Sequence, residues 1–300
     1  MAEASIPVDL RNPGQVFACL GLMEAAEILV GPAQGRFGYQ GSETKTRFHL
    51  EVAGGEDPVR TVLSFLAAAK ARALAPATSG LADADKGVAT LTEDDPLYPF
   101  GDGETYPCPL TDTPSALPML LDGPGGAIPV WHWVDGNQSR RDNVKFWGGS
   151  GGYSGAALAR DAIALLNGLG DNSLTEAAAD PFAFAAPQSS SFRFDWRRDY
   201  IPRDLGFSPN AQKKKVRMVG FPLVELLAAI GLQHARPRRT DKLRYHYGVS
   251  NAVLPTIFAR AVLGCQALGF PVRRFAMRLG WSNQEDQARS IIDAQEESAT

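Results

Sequence analysis

The groups with the clearest chemical use are cations set among aromatic residues. In SFRFDWRRDYIPRDLGFSPNAQKKKVRMVG, Ser191 to Gly220, the residues Phe192, Phe194 and Trp196 alternate with Arg193, Asp195 and Arg197. Arg198 follows, and beyond a turn with Pro202, Gly206 and Pro209 come Lys213, Lys214, Lys215 and Arg217. Period-two alternation with aromatic residues reads as a strand with one face in a core. The cations then stand on the other face and on the adjoining loop, an arrangement suited to a phosphate backbone. A solvated strand face beside a basic loop would leave the same pattern. Recurrence is what separates the two readings. Lys242, Arg244 and His246 oppose Leu243, Tyr245 and Tyr247; Arg274 and Arg278 oppose Phe275, Met277, Leu279 and Trp281. Arg236, Arg238 and Arg239 trail an apolar segment, Phe221 to Leu232, that reads as a buried helix. One cation there would complement the helix dipole, and three exceed that need. If the three strands pair in one sheet, their polar faces merge into a single cationic surface.

A second group of candidates lies upstream. Asn137, Gln138, Arg140, Arg141 and Lys145 lead into the glycine-rich turn Trp147 to Gly155, ahead of a helix expected over 156–169. Carboxamides suit base edges, and Gly149 and Gly151 would offer backbone N–H groups to a phosphate at a helix start. The turn lacks the Gly-Lys-Ser/Thr of a Walker loop, and Ser154 stands where a dinucleotide fingerprint has its third small glycine. A capped structural turn accounts for these residues as well.

Catalytic sets are missing: there is no HExxH or HD pair. Asp83 and Asp85 fall in an acidic loop, and Glu43 with Lys45 has no companion carboxylate. Asp195, Asp199 and Asp204 each lie beside an arginine and read as ion-pair partners that hold guanidinium groups in place. A metal nuclease would need two or three converging carboxylates. Cys19, Cys108 and Cys265 form no CxxC, and His49, His132, His234 and His246 have no ligand spacing. His132, in an apolar strand, reads as a core histidine. The expectation is no catalytic residue, no metal, no cofactor and a reduced, cytoplasmic setting. The N-terminus, MAEASIPVDL, lacks the basic and apolar regions of a secretory signal. No stretch approaches the roughly twenty apolar residues of a membrane span, so no membrane partner is expected.

Charge divides the chain. The formal net charge of −3 hides −9 over residues 1–130, +10 over 131–280 and −4 over 281–300. A local field, not the average, attracts a polyanion. The expected organisation is therefore an acidic N-terminal part (1–130), a basic nucleic-acid-facing part (131–282) and an acidic tail (283–300), read as a frayed helix or disordered. Asn12-Pro13 starts a largely buried helix that Gly31-Pro32 ends. Phe48, Leu50 and Val52 mark a strand, and Asp57-Pro58 caps a helix to about Ala75. From Pro76 to Pro114 a long acidic loop is expected. Residues 119–134 around Gly123–Gly126 read as a hairpin, and 252–268 as a helical segment. The fold class expected is α+β, with mixed sheets, packed helices and a C-terminal half that is RRM- or RAMP-like.

Several segments together resemble one family. VDLRNPGQVFACLGLMEAAEIL, KFWGGSGG, and FRFDWRRDYIPRDLGFSPNAQ followed by GFPLVELLAAIGLQ look like the Csb-three family of type I-U (I-G) CRISPR–Cas systems, of the Cas-eight-like large-subunit class. The resemblance covers Val8–Leu29 and Lys145–Arg239. It implies a non-enzymatic subunit of the Cascade surveillance complex, with crRNA, target double-stranded DNA, the displaced single strand, other Cascade subunits and a helicase-nuclease as partners. Such a subunit recognises a protospacer-adjacent motif and aids R-loop formation, while base pairing reads the long sequence. The alternatives are a crRNA-gripping backbone subunit, a nucleic-acid-processing enzyme, or a structural bridge docked through the acidic loop and tail.

Overall fold

Pro13 opens the first long helix because its missing N–H falls where no intrahelical partner exists. The computed structural model describes residues 1–39, 45–74, 90–91, 119–130, 155–188, 190–197, 218–281 and 289–297. Strand β1, Ala2–Pro7, leads into helix α1, Pro13–Leu29, in which every residue from Pro13 to Ala26 is buried. Apolar side chains surround the helix as far as Ala26, so only its last turn, with Glu27 and Ile28 exposed, meets solvent, and the remaining elements pack around it.

β2, Ala33–Gly38, and β3, Arg47–Val52, follow. β3 lies between β1 and β2 and is antiparallel to both, with Phe48 opposite Ile6 on one side and Phe37 on the other. This is a split β-α-β unit. α2, Pro58–Ala68, starts where Asp57 Oδ1 accepts from the N–H groups of Val59 and Arg60, at 2.9 and 3.2 Å. It stops at Ala68, short of the expected Ala75. Lys70 to Ala73 instead pair with Met119 to Asp122, and ladder bonds in a buried sheet outweigh local helix propensity there. The sheet is β5 (Thr90–Leu91), β4 (Lys70–Leu74), β6 (Met119–Gly123) and β7 (Gly126–Val130) in spatial order. β6 and β7 form the expected hairpin, and Gly125 supplies the left-handed residue of its turn at φ +85°.

α3, Gly155–Ala164, and α4, Asp171–Ala179, precede a single 3-10 turn at Pro181–Ala183. Strands β8, Ala186–Gln188, and β9, Met218–Gly220, pair with each other. α5, Pro222–Gly231, is buried throughout and lies along α1. The two helices meet backbone to backbone. A Cβ on Gly21 would stand 1.7 Å from the Leu227 carbonyl oxygen, and one on Gly231 would stand 2.2 Å from that of Phe17.

The chain then forms β10 (Arg238–Asp241), β11 (Arg244–Val249), β12 (Leu254–Pro255), α6 (Thr256–Leu263), β13 (Arg273–Trp281) and β14 (Arg289–Glu296). β10, β11, β13 and β14 make one antiparallel sheet in that order, while β12 adds to β2. The molecule is thus a mixed α+β fold.

Three expectations need correction. The C-terminal sheet runs β10-β11-β13-β14, all antiparallel, with β12 and α6 between β11 and β13, and not in the RRM-like order; the split β-α-β unit falls in the N-terminal half. The acidic tail is neither frayed helix nor disordered over 289–296, because it pairs with β13 from Glu296 opposite Phe275 to Arg289 opposite Trp281. The segment from Phe192 to Arg197 is not a strand, for the reason given below. Of the expected loop 76–114, only Thr90–Leu91 lies among the described residues. The change of charge near residue 130 leaves no seam in the packing: one hydrophobic cluster runs from Ile6 to Ile291 and draws on both sides of it.

Candidate nucleic-acid interface

Burial alternates along β11 and β13. Tyr245, Tyr247, Val249, Phe275, Met277 and Leu279 point into the core. Tyr247 meets Phe17 of α1 edge to face at 5.8 Å, stacks on Phe275 at 5.2 Å, and donates its hydroxyl to the Leu10 carbonyl at 2.7 Å. These contacts fix the sheet against the central helix. Its other face carries the cations. Register sets Arg244 opposite Arg278, Arg274 opposite Gly248 and Arg238 opposite His246. Arg238, Arg244, Arg274 and Arg278 are all exposed. Neighbouring strands lie about 4.8 Å apart, so guanidinium groups on three of them share one surface. Lys242 is exposed at the β10–β11 hairpin, while Arg239, opposite Tyr245, belongs to the sheet's other face, where it too is exposed.

Like charges directly opposite each other destabilise a sheet unless counter-charge is near. β14 supplies some. Arg278 Nη2 lies 2.6 Å from Asp293 Oδ2, and His246 Nδ1 lies 3.0 Å from Glu297 Oε2. The inward-turned Arg273 pairs with both oxygens of Glu296, at 2.6 and 2.5 Å, and holds that carboxyl below its ordinary range. Cys265 has Arg274 and Arg238 near it, yet burial pushes its thiol up to about 11. Burial also raises Cys19, so both described cysteines stay protonated near neutral pH. No group of His, Cys, Asp and Glu among the described residues is placed to hold a metal ion. No helix among them is long and apolar enough to cross a membrane.

The remaining candidates lie elsewhere. From Ser191 to Asp195 the backbone joins no strand among the described residues; the N–H groups of Phe194 and Asp195 both donate to Glu225 Oε1 at 3.1 Å. Arg193 sits at φ +68°, which breaks the extended run. Phe192 and Phe194 are buried and stacked at 5.8 Å, but the third aromatic residue, Trp196, turns outward and is 41 % exposed. Asp195 takes its place inside at 1 % exposure. It accepts from Asn12 Nδ2 at 2.9 Å and from Arg197 N and Nη2 at 2.9 and 2.7 Å. Asn12 stands at the N-cap of α1, but its side chain makes no cap hydrogen bond and its Nδ2 donates to Asp195. Arg197 also donates to the Phe182 carbonyl at 2.8 Å and lies 3.8 Å over the Phe221 ring. Arg193 and Arg197 therefore stand apart from the sheet's cationic face, and Arg236, two residues ahead of β10, is half-buried. Arg198, Lys213, Lys214, Lys215 and Arg217 lie outside the described residues, as do Asn137, Gln138, Arg140, Arg141, Lys145, Gly149 and Gly151.

Sequence reasoning missed a cleft. A cavity of about 600 Å³ lies between the end of β1, the start of α1, the 3-10 turn and β13. Asp9, Arg11, Asp180, Trp196, Arg197 and Arg273 are among its lining residues. The one sequence signal for it was an aromatic residue beside two arginines, which period two assigned to the core. No protein-family model, curated protein or solved structure matches this chain.

Proposed function

We propose that this chain is a non-catalytic nucleic-acid-binding subunit of a type I CRISPR surveillance complex, holding a phosphate backbone across the outer face of its C-terminal sheet. The observation that carries the reading is the register of β11 and β13, which sets Arg244 beside Arg278 with Arg238 and Arg274 on the same exposed face. The complex itself comes from the resemblance to the Csb-three family. In that setting the chain recognises the protospacer-adjacent motif in the target duplex, helps open it beside the crRNA, and presents it to the helicase-nuclease. The split β-α-β unit of β1, α1, β2 and β3 favours a second reading, a backbone subunit gripping crRNA, because RNA-binding RRM folds are built on that unit.

Arg238, Arg244, Arg274 and Arg278 changed together to alanine test the first reading, since exposed substitutions of this kind leave folding intact. Binding to duplex DNA and to RNA is followed against salt. The variant should bind every sequence more weakly and lower the slope of log K against log salt by about 2 to 4, near 0.9 for each duplex phosphate no longer neutralised. An unchanged slope overturns the proposal. Copy number in the assembled complex separates the two roles: one copy for motif recognition, several along the guide for a backbone subunit.

A further inference from the structure

We propose that the cleft beside Trp196 takes one unstacked nucleotide of a bound single strand, with its base against the Trp196 indole and its phosphate against the guanidinium edge of Arg197. The inference rests on the nucleic-acid-binding reading above and adds a site to it.

The exposure of Trp196 is held in place by its neighbours. Burial favours a large aromatic side chain, and the two aromatic residues before it are buried at 1 % and 2 % exposure. The turn that carries Trp196 outward is fixed on both sides. Asp195, before it, is a buried carboxylate, which is costly without several donors; Asn12 and Arg197 supply them. Arg197, after it, is locked by Asp195, the Phe182 carbonyl and the Phe221 ring. An indole on such a turn is a preorganised platform, so stacking a base on it costs little ordering entropy. Arg197 engages Nε and Nη2 in these contacts, while Nη1 has no hydrogen-bond partner among the described residues. That leaves a guanidinium edge for an anion on a side chain that lines the cavity.

The rest of the cleft fits the same ligand. Its volume is in the range of small-molecule sites. Of its three arginines, Arg197 and Arg273 are already paired with Asp195 and Glu296, so the anion contact falls to the open Nη1 edge of Arg197. Asp9 and Asp180 are acceptors suited to the amino groups of a base edge. Val8, Leu10, Phe182 and Phe275 give it an apolar floor. Arg273 in its wall is the chain neighbour of Arg274 on the outer face of the sheet.

The test uses the full chain with labelled 20-nucleotide single strands, DNA and RNA in separate arms, and a DNA duplex. Trp196→Ala should weaken single-strand binding about 5- to 100-fold, the range for stacking one base on one aromatic ring. It should leave the salt slope and duplex binding unchanged, whereas the four-arginine variant lowers the slope. A loss confined to RNA assigns the cleft to the guide, and one confined to DNA assigns it to the displaced strand. Equal single-strand affinity of Trp196→Ala and the unaltered chain overturns the inference while leaving the reading of the sheet intact. An unaltered chain that binds neither strand nor duplex overturns that reading and this one with it. Trp196→Phe covers the case in which the alanine variant does not fold. It should bind with intermediate affinity and lose most of the tryptophan fluorescence quenching that accompanies binding; undiminished quenching overturns the inference.

Discussion

Glu24 shows how burial and charge compete at a single side chain. It lies in α1 at 2 % exposure, accepts from Arg260 Nε at 2.9 Å and from Gln233 Nε2 at 3.1 Å, and still has its carboxyl raised to about 7 because desolvation exceeds those contributions. The folded chain then holds the proton more tightly than the unfolded one, where the group titrates near 4.5. Its contribution to stability is full below that value and is lost as pH rises through 7. Glu24→Gln should remove this fall, worth on the order of 3 kcal/mol, in urea unfolding followed from pH 4 to pH 8. A carboxylate inside an apolar helix can be seen in the sequence. Its partner Arg260 cannot, because it is 236 residues away. Asn12 carries the same lesson: its type and position before Pro13 mark a helix start correctly, but its Nδ2 donates to a buried aspartate distant in sequence and its Oδ1 caps no helix N–H.

At the scale of elements, the contact between α1 and α5 is the most demanding. Gly21 and Gly231 let two backbones touch, and a single methyl at either position must push the helices apart. Gly21→Ala should destabilise the protein by about 2 kcal/mol or more, read as a lower urea midpoint at unchanged slope. The periodicity of α1, α5, β11 and β13 was legible because each packs one stretch of chain against one core. The β6–β7 hairpin was legible from its glycines. Phe192 to Arg197 has equally good period-two alternation, yet Glu225 takes the N–H groups that a ladder would need. Local pattern reports which faces are apolar; it does not report where the backbone hydrogen bonds go. β14 was missed for the opposite reason, since polar residues on an edge strand leave little pattern to read.

Across the whole molecule, the division of charge along the chain is partly undone by folding. The acidic tail returns as β14, and Asp293 and Glu297 sit against Arg278 and His246 on the surface proposed for phosphate. Asp293→Asn combined with Glu297→Gln should tighten duplex and RNA binding and steepen its salt dependence by up to about 2, measured as for the arginine variant. Stability should change little, because exposed ion pairs contribute at most about 1 kcal/mol. Summing charge over segments could not show which carboxylates come back to the cations.

The same return of distant chain to one place bears on synthesis. α1 leaves the ribosome early, with apolar residues on every side, and α5, which covers it most closely, starts at Pro222. At 5–20 residues per second, the wait between them is roughly 10–40 s. During that interval the nascent helix is a sticky rod, and a chaperone or a makeshift hydrophobic partner must shield it until translation catches up.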